Sequence, residues 1–269
     1  MNTMNAHRRT LLKQGLVMST GMGLLSPAQA QIDSLNEAIN KAGRQRMLSQ
    51  RMAKAWLAMG LGIEGKRAER ILYDSMSLFD RQFVELKAYA PTPEIKATYV
   101  ALDPVWSEYK AALVGAKADR GRAPELLALD AKVLKLAHQG TLQLEKVSGK
   151  AVGKLVNIAG RERMLSQRTA KFYLSKHWGA AVPEQARELD TARQEFAQAL
   201  QTLMSAPQAT AAIKQELELA QQQWVFFDNA LSRLGESANS HKHAGEVFAT
   251  SENILQVMDR VTGMYSKLS

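Results

Sequence analysis

Two arginines stand where a helical chain ordinarily places aliphatic side chains. Residues 42–54 read AGRQRMLSQRMAK and residues 159–171 read AGRERMLSQRTAK; they differ only at Gln45/Glu162 and Met52/Thr169. On heptad spacing the first stretch lies on a seam of Ile32, Leu35, Ile39, Ala42, Arg46, Ser49, Ala53 and Trp56. The second lies on Gly149, Val152, Val156, Ala159, Arg163, Ser166, Ala170 and Tyr173. A guanidinium keeps its proton and is costly to bury alone, so each seam arginine needs an anion. On the first helix none stands one turn away, where the neighbours are Ala42, Gly43, Ser49 and Gln50, and Glu162 lies on another face of its helix. The partner must come from a different helix or from solution. The planar fork of donors suits a small, flat, acceptor-only anion. Around each arginine, Ser49 and Ser166 leave room, Gly43 and Gly160 permit close backbone approach, and Gln50 and Gln167 can donate amide hydrogens. Two other arrangements stay open. The arginines could pair with carboxylates such as Asp80, Glu85 or Asp228, or reach along the helix to solvent.

The elements that must position these residues are duplicated. Gly43 and Gly160 are 117 residues apart, and nearly the same interval relates Ile95-Lys96 to Ile213-Lys214 and Trp106 to Trp224. Within the first half, breakers at Gly60 to Gly65, Pro91-Thr92-Pro93 and Asp119-Arg120-Gly121 separate four long segments of helical periodicity. Gly179 to Pro183, Ser205-Ala206-Pro207 and Gly235 to Ser240 do so in the second. Pro93, Pro183 and Pro207 fit first helical turns, and Pro104 should kink the third helix. The expected fold is all-α: two tandem antiparallel four-helix bundles, residues 31–148 and 149–269, able to pack as an internal pseudo-dimer. A turn near Ser148-Gly149 would let the first helix of each half supply one arginine to a shared anion. A continuous helix there would separate the motifs and require a homodimer. The second apolar face of Leu48, Met52, Ala55 and Met59 marks the first helix as an inner or interface helix.

Composition narrows the classes. A hydrophobic content of 46% with only 6% aromatics and seven prolines favours long helices. The absence of cysteine excludes a disulfide framework, a thiolate metal site, an acylated-cysteine anchor and a cysteine nucleophile. The net charge of +9 is spread along amphipathic faces without interleaved aromatics, which argues against nucleic acid. His241-Lys242-His243 lacks the three- or four-residue spacing of helical metal ligands and reads as a solvated loop; His138 and His177 read as structural. Neither a nucleophile–base pair nor a phosphate loop is present, so the chain reads as non-enzymatic, with no cofactor and no metal. Residues 1–30 carry Arg8-Arg9, a short diluted apolar run and Ala28-Gln29-Ala30, which resembles a twin-arginine export signal cleaved near Gln31. Three of the nine surplus charges, on Arg8, Arg9 and Lys13, belong to that leader. The mature protein is therefore expected in the periplasm.

The segment AGRQRMLSQR resembles the nitrate-binding P-box of bacterial nitrate/nitrite sensor kinases. It is still more similar to the N-terminal domain of type IV pili methyl-accepting chemotaxis transducers, the PilJ-type domain. The resemblance implies periplasmic four-helix bundles in which P-box helices of two subunits run side by side with one nitrate between them. It places the gripping arginine three residues after the motif glycine, hence Arg46 and Arg163, and it matches a further arginine to Arg51 and Arg168 in a supporting role. Those families carry transmembrane helices and a cytoplasmic output. Here the sequence closes about one helix after Gly235, so relay would need a membrane-bound sensor or transducer as partner. The competing expectation is a ligand-free helical module that docks on a pilus or chemoreceptor assembly.

Overall fold

Helix ends fall at the sequence breakers, for reasons that can be named. The computed structural model describes residues 32–115, 117–180, 184–235 and 240–268. The proposed export leader lies outside them. The first half holds α1 (Leu35–Leu61), α2 (Gly65–Tyr89), α3 (Pro93–Val114), a 3-10 turn at Arg120–Arg122, and α4 (Ala123–Ser148). The second holds α5 (Ala151–His177), α6 (Glu184–Ser205), α7 (Ala211–Ser232) and α8 (Ser240–Ser266). Ser34, Thr92 and Thr210 each accept a backbone N–H of the first turn that follows, satisfying a donor the helix cannot pair itself. Pro93 occupies the first turn of α3, where its missing N–H costs nothing. Gly149 ends α4 in the left-handed region (φ 58°), so α4 and α5 are separate helices joined by a turn.

Two expectations need correction. Pro207 belongs to the turn before the Thr210 cap rather than to a first helical turn, because capping at Thr210 sets the start of α7. His241-Lys242-His243 lies in the opening turn of α8 and not in a loop, with His243 buried. Pro104 lies inside α3, where the sequence places it.

Each half packs its four helices around its first. α1 lies against α2 and α4, α5 against α6 and α8, with α3 on α4 and α7 on α8. The most extensive contact of all joins α1 to α5, and residues 31–269 form one compact unit. The two central helices run in the same direction. Ile39 meets Gly153, Gly43 meets Gly160, Lys171 reaches Gln50, and Trp56 and Gly60 both meet Trp178. Every seam residue of α1 named above except Leu35 is buried, as is every one of α5 from Val152 to Tyr173. The duplication is also visible in the outer packing. Phe79 stacks on Trp106 at 3.9 Å in one half, and Phe196 on Trp224 at 4.0 Å in the other.

Candidate functional site

Small residues let α1 and α5 approach at the motif, and the arginines cover the crossing. A Cβ placed on Gly43 would lie 3.8 Å from the Cα of Gly160, and the reverse distance is the same. That Cβ would also lie 3.2 Å from Arg46 Nη2 and 3.5 Å from Arg163 Nη2; on Gly160 the two distances exchange. Two guanidiniums, one from each half, therefore sit side by side over a pair of glycines, related by a pseudo-twofold axis along the helices. Both are fully buried. Helical side chains lean toward the N-terminus of their own helix. Each arginine accordingly crosses to the other helix one turn before that helix's glycine. Arg46 Nη2 donates to the Asn157 Oδ1 at 2.7 Å and to its carbonyl at 3.3 Å; Arg163 Nη2 donates to the Asn40 carbonyl at 3.0 Å.

The second nitrogen of each fork meets different chemistry. Arg163 Nη1 donates to Asp259 Oδ1 on α8 at 2.5 Å, a carboxylate shared with Arg44 at 2.8 Å. Arg46 Nη1 lies 3.2 Å from His138 Nδ1 on α4. Arginine can only donate, so Nδ1 is the acceptor and the imidazole is neutral. His138 is thus no isolated structural histidine; it faces the candidate ligand arginine. Burial, followed by the charges of Arg46, Arg161 and Arg168, pushes its pKa down to about 4. Burial together with the neighbouring guanidiniums brings Arg46 down to about 9, and Arg163 is lowered to about 10, both still charged at neutral pH. Asp259 is held down near 2 against its own burial by Arg163 and Arg44. The Nε of each seam arginine is buried without an acceptor. Such orphaned donors are uncommon in folded interiors, and each is a hydrogen-bonding capacity left unused.

The other sequence candidates have partners of their own. Ser49 and Ser166 donate back to the carbonyls of Arg46 and Arg163, both at 2.9 Å. Gln50 donates to Asp130 and Gln167 to the Ser251 carbonyl. Arg51 forms a fork with Glu252 at 2.5 Å, and Arg168 pairs with Glu188 at 2.9 Å. Ser49, Ser166, Gln50, Gln167, Arg51 and Arg168 thus brace the helices around the arginine pair. The carboxylates named as possible partners of the arginines are engaged elsewhere: Asp80 with Trp106 and Lys110, Glu85 with Lys41, Asp228 with Arg193.

Below the arginines lies a second charged layer that sequence reasoning missed. Lys54 and Lys171, the closing residues of the two motifs, are buried. Lys54 crosses to Ser251 and Glu252 on α8; Lys171 crosses to Asp130 on α4 and to Gln50 Oε1, all within 2.8 Å. The signals for Asn40, Asn157 and the lysines were present, since each recurs at the motif interval. No signal marked His138 or Asp259, because α4 and α8 carry no copied motif. Two surface clefts, one lined by Arg168, Arg187 and Glu188 and the other by Asn40, Arg44, Lys150 and Ser266, stop short of Arg46 and Arg163. Among the described residues no helix is long and apolar enough to cross a membrane, and no group of three or more acidic or imidazole side chains could hold a metal.

Comparison with known families gives one match, made twice. The family described as type IV pili methyl-accepting chemotaxis transducer N-term (PilJ) matches residues 28–131 and 148–258. No curated protein and no solved structure matches the chain significantly.

Proposed function

The chain belongs to the type IV pili methyl-accepting chemotaxis transducer N-terminal family, in two tandem copies, and from that premise we propose that it is a sensory module for a small oxyanion, nitrate or nitrite. The family is one of chemoreceptor sensory domains, and the all-α bundle fits it. The observation that carries the reading is the arginine pair. Two buried guanidiniums meet over Gly43 and Gly160 from opposite halves, each with an unpartnered Nε–H, and one of them has no carboxylate in hydrogen-bond reach. An anion seated between them would take up the spare donors and offset the burial, and then the repulsion from Arg161 and Arg163, that lower the Arg46 pKa. It would bind α1 and α5 at once. Ligation would thereby bias how the two halves pack, a change that a membrane-bound transducer could read. In this proposal the protein acts in the periplasm after removal of residues 1–30, it is not an enzyme, and one chain provides both arginines without a homodimer.

Calorimetry with nitrate, nitrite, sulfate and chloride tests the reading. Saturable heat with nitrate or nitrite, abolished in Arg46→Ala and Arg163→Ala variants that remain helical, is the expected result. Absence of heat with every anion would instead favour the ligand-free docking module. One observation supports that second reading: Asp259 already satisfies part of Arg163.

A further inference from the structure

The two arginine corners differ by one charge, and that difference has a consequence for ligand choice. We propose that Asp259 sets the charge selectivity of the arginine site, admitting monovalent oxyanions and excluding divalent ones such as sulfate. The inference rests on the oxyanion reading above and goes on to say which oxyanions the site takes.

The arithmetic of charge is local. Arg46 and Arg163 contribute two positives, Asp259 removes one, and His138 is neutral because its Nδ1 accepts from Arg46. The next ionised groups outward cancel. Arg44 bonds Asp259, whereas Glu145 accepts from the Asn157 amide; Arg161 is paired with Glu195 at 2.7 Å. One positive charge remains unbalanced in a region where both arginines are wholly buried. A monovalent anion brings the site to neutrality. A divalent anion would leave a buried negative charge, which is strongly disfavoured in a poorly solvated site.

Asp259 also stands between solvent and Arg163. Its side chain is 42% exposed, while that of Arg163 behind it is sealed from solvent. Arg44, which shares its carboxylate, and Asn40, whose carbonyl accepts from Arg163, both line a surface cleft of about 670 Å³. A carboxylate at this threshold repels a second negative charge more strongly than a first. The site is lopsided, because the equivalent threshold on α4 is occupied by the uncharged imidazole.

The test is a charge exchange, read by calorimetry of the whole protein with sodium nitrate and sodium sulfate at fixed ionic strength. The wild type should prefer nitrate to sulfate by at least tenfold. Asp259→Asn should narrow that preference by tenfold or more, by gaining sulfate affinity. His138→Asp, which adds a carboxylate on Arg46, should weaken nitrate by tenfold or more. The double variant His138→Asp/Asp259→Asn restores the original count with the acid on the opposite corner, and it should restore the nitrate preference. A wild type that binds both anions equally, or a folded Asp259→Asn with an unchanged ratio, overturns the inference while leaving oxyanion binding intact. If Asp259→Asn fails to fold, undiminished nitrate binding in His138→Asp overturns it. No binding of either anion by the wild type removes both the inference and the reading beneath it.

Discussion

The α1 corner and the α5 corner are built from nearly the same thirteen residues, yet they end in different electrostatic states. Arg46 leans on a neutral imidazole and an asparagine; Arg163 leans on a carboxylate. One layer down the lysines differ in the same manner. Lys54 shares Glu252 with Arg51, whereas Lys171 holds Asp130 and the Gln50 amide oxygen. Beside the arginines, Gln45 donates to the Phe79 carbonyl at 3.3 Å, while its counterpart Glu162 is buried with neither oxygen partnered. Burial pushes the Glu162 carboxyl well above the ordinary range, which favours its neutral form. The duplicated helices preserve what touches the pseudo-twofold axis. At the crossing Gly43, Gly160, Arg46 and Arg163 are kept, while the groups that α4 and α8 bring to the arginines differ. The lesson is that symmetry is retained where both halves share one contact and lost where each half has its own.

The largest way to break the comparison is to remove a buried acid. Glu252→Ala strands Lys54 and Arg51 together, and it should lower stability by about 3–5 kcal/mol, as loss of one partner of a buried pair typically does. Asp130→Ala should cost less, because Lys171 keeps the Gln50 oxygen at 2.6 Å. Urea denaturation of both variants at pH 7 checks the order; equal costs would mean that the two lysine corners are energetically alike.

Exchanging the Gln45/Glu162 pair comes next. Burial without partners disfavours a carboxylate at Glu162, so Glu162→Gln should stabilise by about 1–3 kcal/mol at pH 7, and Gln45→Glu should destabilise by a similar amount. The sign with pH follows from the raised folded pKa. The unfolded chain ionises first as pH rises past the ordinary value of 4.5, so the advantage of Glu162→Gln grows from pH 4.5 toward 7. A constant advantage across that window would show that no proton is involved.

His138 should leave a smaller mark of the opposite sense. Its folded pKa of about 4 lies below the ordinary 6.5, so the unfolded chain takes up the proton first as pH falls. Stability attributable to this residue should decline between pH 6.5 and 4, by about 1 kcal/mol once solvent screening of a half-exposed ring is allowed for. His138→Asn should flatten that part of the curve. The losses from Glu252 and Asp259 fall lower, from their ordinary values of 4.5 and 3.8 down to about 2, and remain in the variant. The smallest effect sharpens the symmetry itself. Gly43→Ala and Gly160→Ala meet the same neighbours at the same distances, so each should change stability by less than about 1 kcal/mol, and by equal amounts in thermal unfolding. Unequal shifts would show that the crossing is less symmetric than its backbone.

Much of this architecture was legible beforehand. The helix breaks near Gly62 and Thr92 could be read because those residues act through local backbone chemistry, whereas the Thr210 cap of α7 was overlooked in favour of Pro207. The seam could be read because burial follows helical period, and Arg46 and Arg163 stood out as violations of that period. His138 and Asp259 could not be found this way. Each lies on a helix without a repeated motif, and each becomes relevant only because α4 and α8 bring it to an arginine more than 90 residues distant in sequence. The fate of Gln50, Gln167, Arg51 and Arg168 was equally hidden. Spacing placed them near the arginines, but the acceptors that claim them come from other helices.

The sequence by itself determined the duplication, the helical class and the presence of two cations on seams where charge is expensive, because these follow from local propensity and period. The tertiary structure decided which groups answer those cations. Hydrogen bonds and Coulomb forces depend on distances between helices that no spacing along one helix encodes. Only the packing of α1 on α5, with α4 and α8 alongside, gave one arginine a carboxylate and left the other with neutral partners.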